Sequence, residues 1–348
     1  DRIDLKKFLH DYSAARYGGC PEGIDRFWSG MLQSSYNECT NNARYRWQLR
    51  PYSHRMPTMG INENYYTAIE QFLACAGELG GNELYRTDAI QYAALYLASK
   101  ADMLLEAANW ADLYGAREEA YDCAMRIEEL LLDADRLLAS HPLLRLDRWS
   151  GMARKAGCTE EEKERFVGES RRLISVWGGP SLSDYSARVW SGVIRDYYVP
   201  RLNKYLEAKT DGTVFDFRTW DEQWHASRTV SHVEPFADPL AAACRLVGEA
   251  RGITPAQNRR PADAVAFWSP FELTKPSVNL SFTIGWDQFE KARALRIVPI
   301  RGHEPVKVTA IRCSANRYDR AREEVSLEVG PAGGAVEIPL HKLQAPDP

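Results

Sequence analysis

For its first 250 residues this chain repeats apolar side chains every three or four positions, and then the repeat stops. That period marks one face of an α-helix. Leu5, Phe8, Leu9, Tyr12 and Ala15 form a first stripe, which Gly18-Gly19 ends. Ile24, Phe27, Trp28, Met31 and Leu32 form a second. Tyr66, Ile69, Phe72, Leu73 and Ala76 continue the pattern after Asn62, a candidate cap. Thr87 is expected to open a long helix through Ile90, Ala94, Leu97, Ala101, Leu104 and Ala108. Ile127, Leu130, Leu131, Ala134, Leu137 and Leu138 line another, which His141-Pro142 ends. Further helices are expected over 160–177, 183–207, 217–230 and 238–250. No segment repeats at a fixed spacing, so an irregular multi-helix bundle over 1–250 fits better than a solenoid.

The texture changes at "RGITPAQNRRPAD", 251–263, which has no helical stripe and suits a linker. Beyond it "SVNLSFTI" alternates Val278, Leu280, Phe282 and Ile284 with polar neighbours, the period of a half-buried strand. "ALRIVPI", "VKVTAIRC", "EVSLEV" and "AVEIPL" follow, separated by turn-like segments. The expected fold is mainly α: a helical domain over 1–250, a linker over 251–263, and a small antiparallel β-sandwich over 264–348. A length of 348 residues agrees with two domains.

Several functions are disfavoured. No apolar run is long enough to span a bilayer, and the opening residues lack the pattern of a signal peptide. A net charge of −4 argues against binding nucleic acid through charge alone. Seven cysteines at 20, 39, 75, 123, 158, 244 and 313 form no CxxC pair, so they read as mostly buried free thiols rather than a disulfide scaffold or zinc site. His225 and His232 are too far apart for a tight metal pair and read as surface or hydrogen-bonded residues. "RYRWQLRPYSHRMP", 44–57, could stack on bases, but reads better as a loop covering the bundle. Asn279 opens a short glycosylation-type sequon. There is no phosphate-cradling loop, nucleophile elbow or HExxH motif. No carboxylate stands out as one with a raised pKa.

One stretch remains: "LISVWGGPSLSDYSARVW", 173–190. Trp177 is expected in the last turn of one helix and Tyr185 in the first turn of the next, around Gly178-Gly179-Pro180. Such a pair is either core packing or a binding wall built from two helix ends. Trp and Tyr combine a large apolar face with one polar tip, which suits both cores and sugar platforms.

"WGGPSLSDYSARVWSGVIRDYYVPRLNKYLEA" resembles a segment of the family 89 glycoside hydrolases, the α-N-acetylglucosaminidases. There it reads Trp-Gly-Pro, a short loop, Asp-Tyr, a helix, then Tyr-Tyr-x-Pro-Arg. "AARYGG" with "FWSGMLQSSYNEC", "YRTDAIQYAALYLASKADMLLEA", "WDEQWHAS" and "VEPFADPLAAACRLVGEA" are similar to other parts of that family's helical domain, in the same order. The likeness covers about residues 5–250. It implies the C-terminal part of an exo-acting retaining hydrolase that removes terminal α-linked GlcNAc from glycans. The two catalytic glutamates would lie on a (β/α)₈ barrel absent from this chain. This chain would then hold no catalytic residue, metal or cofactor, and would be inactive alone. Its partners would be the barrel and the glycan, not nucleic acid or a membrane span, and its location secreted or periplasmic. The family's pocket-wall positions carry over to Trp177, Tyr185 and Leu182. The 264–348 region is similar to non-catalytic β-domains of bacterial glycosidases. The competing reading is a stand-alone, non-catalytic carbohydrate-binding or scaffold protein.

Overall fold

A computed structural model describes residues 3–36, 45–49, 63–113, 116–177, 182–211, 213–254, 293–297 and the short strands named below. Among these residues are eleven α-helices. In chain order they are α1 (Leu5–Tyr17), α2 (Glu22–Leu32), α3 (Glu63–Ala74), α4 (Ala76–Leu79), α5 (Glu83–Leu113) and α6 (Arg117–Leu138). Then come α7 (Leu146–Lys155), α8 (Glu160–Ser175), α9 (Val199–Thr210), α10 (Phe217–Ala226) and α11 (Pro239–Ala250). The chain divides into two compact units, Asp1–Ala108 with Tyr121–Ala256, and Asn109–Ala120 with Gln257–Pro348.

Local signals set most of these limits. Gly18, at φ 79°, closes α1 in the left-handed conformation and donates its N–H to the Ala14 carbonyl. The Thr159 hydroxyl and the Glu162 carboxylate cap the start of α8 reciprocally. The long helix opens four residues before Thr87. Asn82 accepts the Tyr85 N–H at 3.0 Å, whereas the Thr87 hydroxyl folds back on the Glu83 carbonyl. Asn82→Ala is expected to lower stability by about 1 kcal/mol in urea denaturation, the usual cost of a lost cap.

Helix α5 is buried around much of its girth: Tyr85, Ala89, Ala93, Ala94, Tyr96, Leu97, Ala98 and Ala101 are fully buried. Alanine at so many of these positions lets neighbouring helices approach closely. α2 packs on α3 by the same means, because a Cβ at Gly30 would lie 2.8 Å from the Ala68 Cβ.

The structure corrects three expectations inside the bundle. The helix expected over 183–207 is broken. Leu182–Ser186 turn, Ala187–Trp190 have no regular secondary structure, and helix resumes only after Gly192, whose φ of 86° suits glycine. Ser191 instead exchanges backbone hydrogen bonds with Leu144 and Leu146 across a parallel bridge. The new helix starts as a π-turn, Ile194–Tyr198, and continues as α9. The segment expected as helix over 217–230 ends at Ala226, so His225 and His232 share no helix. Free thiols are found at Cys20, Cys75, Cys123, Cys158 and Cys244, but of these only Cys75 is buried. α7 had no counterpart in the sequence reading.

In the second unit three antiparallel strand pairs are described. β1 (Ala294–Ile297) pairs with β6 (Val336–Pro339), β2 (Val306–Val308) with β5 (Leu327–Val329), and β3 (Ile311–Cys313) with β4 (Ala321–Glu323). Most fall in stretches where alternation predicts strands. The linker from residue 255, the strand expected over 277–284, Asn279 and most of 44–57 lie outside the described residues.

Candidate functional site

Trp177 lies two residues beyond the end of α8, not in its last turn. Its φ is 52°, and its N–H donates to the Arg172 carbonyl at 2.9 Å. Tyr185 lies in the turn after the break, its N–H donating to the Leu182 carbonyl at 3.0 Å. Gly178, Gly179 and Pro180 lie outside the described residues. Trp177, Tyr185 and Leu182 are 41%, 43% and 38% exposed, so core packing does not account for them. The indole and phenol rings meet edge to face, with centroids 5.5 Å apart and planes at 73°. A depression of about 360 Å³ among Pro142, Arg145, Asp147, Arg148, Gly151, Met152 and Lys155 includes none of the three.

What holds the rings outward is a buried polar foundation. Asp184 has φ 58°, and its N–H reaches back to the Ser175 carbonyl at 2.6 Å, tying the far side of the loop to the end of α8. Among the described residues, Trp177 and Asp184 are the two non-glycine residues with positive φ. Such backbone is uncommon and concentrates where surrounding structure imposes it. The Asp184 carboxylate accepts a hydrogen bond from Arg201 Nη1 at 2.8 Å, both side chains being almost fully buried. Arg201 also donates to Tyr197 Oη at 3.0 Å and to the Gln48 carbonyl at 2.7 Å. Tyr197 in turn donates to Asp221 at 2.6 Å. Burial opposes the Arg201 charge, but Asp184 and the adjacent tyrosines outweigh it and hold the guanidinium above its ordinary range. His225 Nε2 lies 2.5 Å from the Ser175 hydroxyl, which makes it a hydrogen-bonded core histidine.

Asp184, Arg201 and Asp221 were not singled out from the sequence, although each lies in a motif that was. "DY" contributes Asp184, "YYVPR" contributes Tyr197 and Arg201, and "WDEQWH" contributes Asp221 and His225. The other motifs pair in the same way. Arg16 of "AARYGG" forms a two-pronged ion pair with Asp88 of "YRTD", which Tyr17 joins at 2.8 Å. Arg86 of "YRTD" reaches Asp238 of "FADP" at 3.2 Å. The shared order therefore records side chains that meet in space.

Carboxylates with raised pKa exist where the sequence suggested none, but they serve the frame. Asp135 is fully buried and accepts from the Gly192 and Arg195 N–H groups and the Arg195 guanidinium. Burial nevertheless pushes its pKa upward. Asp102, almost fully buried on α5, accepts the N–H groups of Arg46 and Trp47 at 2.9 and 3.2 Å. Trp47 is 1% exposed and Tyr45 3%, so the described part of 44–57 covers the bundle and presents neither ring for stacking on bases.

Solved structures that share this helical arrangement come from a family 89 glycoside hydrolase of Clostridium perfringens. The complex with its substrate GlcNAc-alpha-1,4-galactose aligns with a TM-score of 0.63 and 22% identity, covering 72% of this chain and 32% of that one. The complex with PUGNAc gives the same score and identity over 74% and 32%. The complex with 2-acetamido-1,2-dideoxynojirmycin has a TM-score of 0.63 and 23% identity over 75% and 33%. At that identity the likeness is one of fold. Residues 8–249 match the family described as the alpha-N-acetylglucosaminidase (NAGLU) C-terminal domain, and the chain belongs to that family. Human alpha-N-acetylglucosaminidase is 27% identical over 219 residues, 60% of this chain and 29% of the human protein. The chain thus spans about a third of the length of these relatives. Among the described residues no helix is long and apolar enough to cross a membrane.

Proposed function

We propose that this chain is the post-barrel portion of an exo-acting, retaining α-N-acetylglucosaminidase, and that Trp177, Tyr185 and Leu182 form one wall of its sugar pocket. One observation carries the reading. Two left-handed, non-glycine residues flank the loop and hold a perpendicular indole–phenol pair in solvent above a buried ion pair. At 41% and 43% exposure both rings are open to a ligand. The matching family and the Clostridium perfringens complexes point to a sugar carrying an N-acetyl group. A pair of carboxyl groups about 5 Å apart, one acid/base and one nucleophile, would come from the barrel. The rings would orient the sugar against them. The three strand pairs are read as part of a β-sandwich accessory domain, and the location as secreted or periplasmic.

The test uses the full-length polypeptide that contains this chain, assayed on an aryl α-GlcNAc. Trp177→Ala and Trp177→Gly are both expected to lower kcat/KM by about 30-fold, the scale of a lost aromatic anchor. Neither should change the cooperativity of unfolding. Glycine also relieves the left-handed backbone, so similar losses in both variants assign the effect to the ring. Unchanged kcat/KM in both would remove Trp177 from the pocket, and global unfolding would return it to a structural role. Residues 1–348 alone should show no hydrolysis; turnover by them would contradict placing the chemistry on the barrel.

A further inference from the structure

The α1–α2 hairpin brings together three side chains that the carbohydrate reading does not use. His10 stands on α1, Cys20 in the connection after Gly18, and Asp25 in the first turn of α2. One ligating atom from each lies within 4.8 Å of the other two. His10 Nδ1 is 3.1 and 3.2 Å from the two Asp25 carboxylate oxygens, and Cys20 Sγ is 3.5 Å from Oδ1. We propose that His10, Cys20 and Asp25 form a site for a divalent transition-metal ion of the zinc type, with a fourth position open to water or a small exogenous ligand.

Geometry supports the assignment. A tetrahedral ion with bonds of about 2.0 Å to nitrogen and oxygen and about 2.3 Å to sulfur sets those ligands about 3.3 Å (N to O) and 3.5 Å (S to O) apart. The His10–Asp25 and Cys20–Asp25 separations are already close to these values. What remains is for the imidazole to approach the sulfur. The His10 side chain is 50% exposed, so it has room to turn. Charge agrees: one thiolate, one carboxylate and one neutral imidazole balance a divalent cation. The donor set also selects the metal. Sulfur and nitrogen ligands suit zinc or cobalt, whereas calcium and magnesium take oxygen.

The half-exposed positions leave an entry path, and the half-buried thiol gives the site a wall. Behind it Trp28 Nε1 donates to the buried Ser13 hydroxyl at 2.8 Å, and Tyr12 meets Trp28 edge to face with centroids 6.2 Å apart. A bound ion would therefore clamp a hairpin whose two helices already touch. The cysteine pattern pointed away from zinc because this set uses one residue of each kind, from two helices and their connection, rather than a cysteine pair.

The experiment strips the 348-residue chain with a chelator and titrates it with CoCl2. One equivalent is expected to develop a thiolate-to-cobalt charge-transfer band with the visible bands of a tetrahedral ion, and ZnCl2 should displace it. Zinc should also raise the Tm of the wild-type chain. Cys20→Ser should abolish the charge-transfer band. His10→Ala, a change at an exposed position, should weaken cobalt binding by about 100-fold, at least the upper end of what lost outer-shell partners cost. Circular dichroism would confirm that both variants fold. No thiolate band at saturating cobalt would overturn the site, as would a band unchanged in Cys20→Ser, which would place the ion on another cysteine. Binding unchanged in His10→Ala would overturn it too. None of these results depends on the glycosidase reading.

Discussion

Asp184→Ala is expected to destabilise the helical domain by about 3–5 kcal/mol, because it leaves the Arg201 guanidinium buried without its counter-charge. Arg201 is 2% exposed, so water cannot replace the lost carboxylate. Alanine is also poorly suited to φ 58°, whereas aspartate tolerates it. Asp184→Asn keeps an acceptor and the backbone tolerance, and so isolates the charge; it should fall between wild type and alanine. Arg201→Met should cost a comparable amount. It strips donors from Asp184, from Tyr197 and from the Gln48 carbonyl at once. The double variant should lose less than the sum of the singles, since it leaves no unpaired charge behind, whereas each single does. Urea denaturation followed by circular dichroism measures all four. Additive losses would show that the pair is not coupled, and the foundation assigned to the Trp177–Tyr185 wall would be wrong.

The second large effect is a pH dependence. Burial pushes the Asp102 carboxyl up to about 7, against an ordinary value of 3.8, despite the N–H groups of Arg46 and Trp47 and the nearby Arg46 charge; Glu106 adds to the rise. Between about pH 4 and pH 7 the folded chain then holds a proton that the unfolded chain has released. Stability from this group is complete below pH 4 and is lost as pH rises through 7. Its slope is at most about 1.4 kcal/mol per pH unit. Asp102→Asn cannot titrate, so denaturation between pH 5 and pH 7 should show that slope in the wild type and a shallower one in the variant. Equal slopes would mean that Asp102 ionises normally inside the fold. The group matters because it anchors the first turn of 46–48, whose Gln48 carbonyl meets Arg201. Acidic conditions should therefore favour the foundation beneath the exposed rings.

The proposed site was half legible. Trp177 and Tyr185 are conspicuous as aromatic residues around a Gly-Gly-Pro break, whereas Leu182 came only from the family resemblance; all three are half-exposed. Their setting was not legible. The sequence reading runs one helix over 183–207, starting near Ser183. In the fold Ser191 bonds to the segment before α7, and Asp184 bonds back to Ser175. Both are contacts between residues distant or oppositely directed in the chain, and periodicity carries no record of them. Asp102, Asp135 and Asp221 escaped notice for the same reason. An aspartate on a helix looks solvated until tertiary packing surrounds it.

By itself the sequence determined features that depend on neighbours: the Gly18 stop, the His141-Pro142 break and the alternation that marks strands after residue 293. These follow from propensity, capping and pattern, which act within a few residues. The tertiary structure alone decided which charges are buried, which aromatics stay in water and which distant motifs meet, as Arg16 meets Asp88 and Arg201 meets Asp184. The reason is desolvation. Whether a carboxylate, guanidinium or indole is stabilised depends on what displaces the water around it, and that is set by residues remote in sequence.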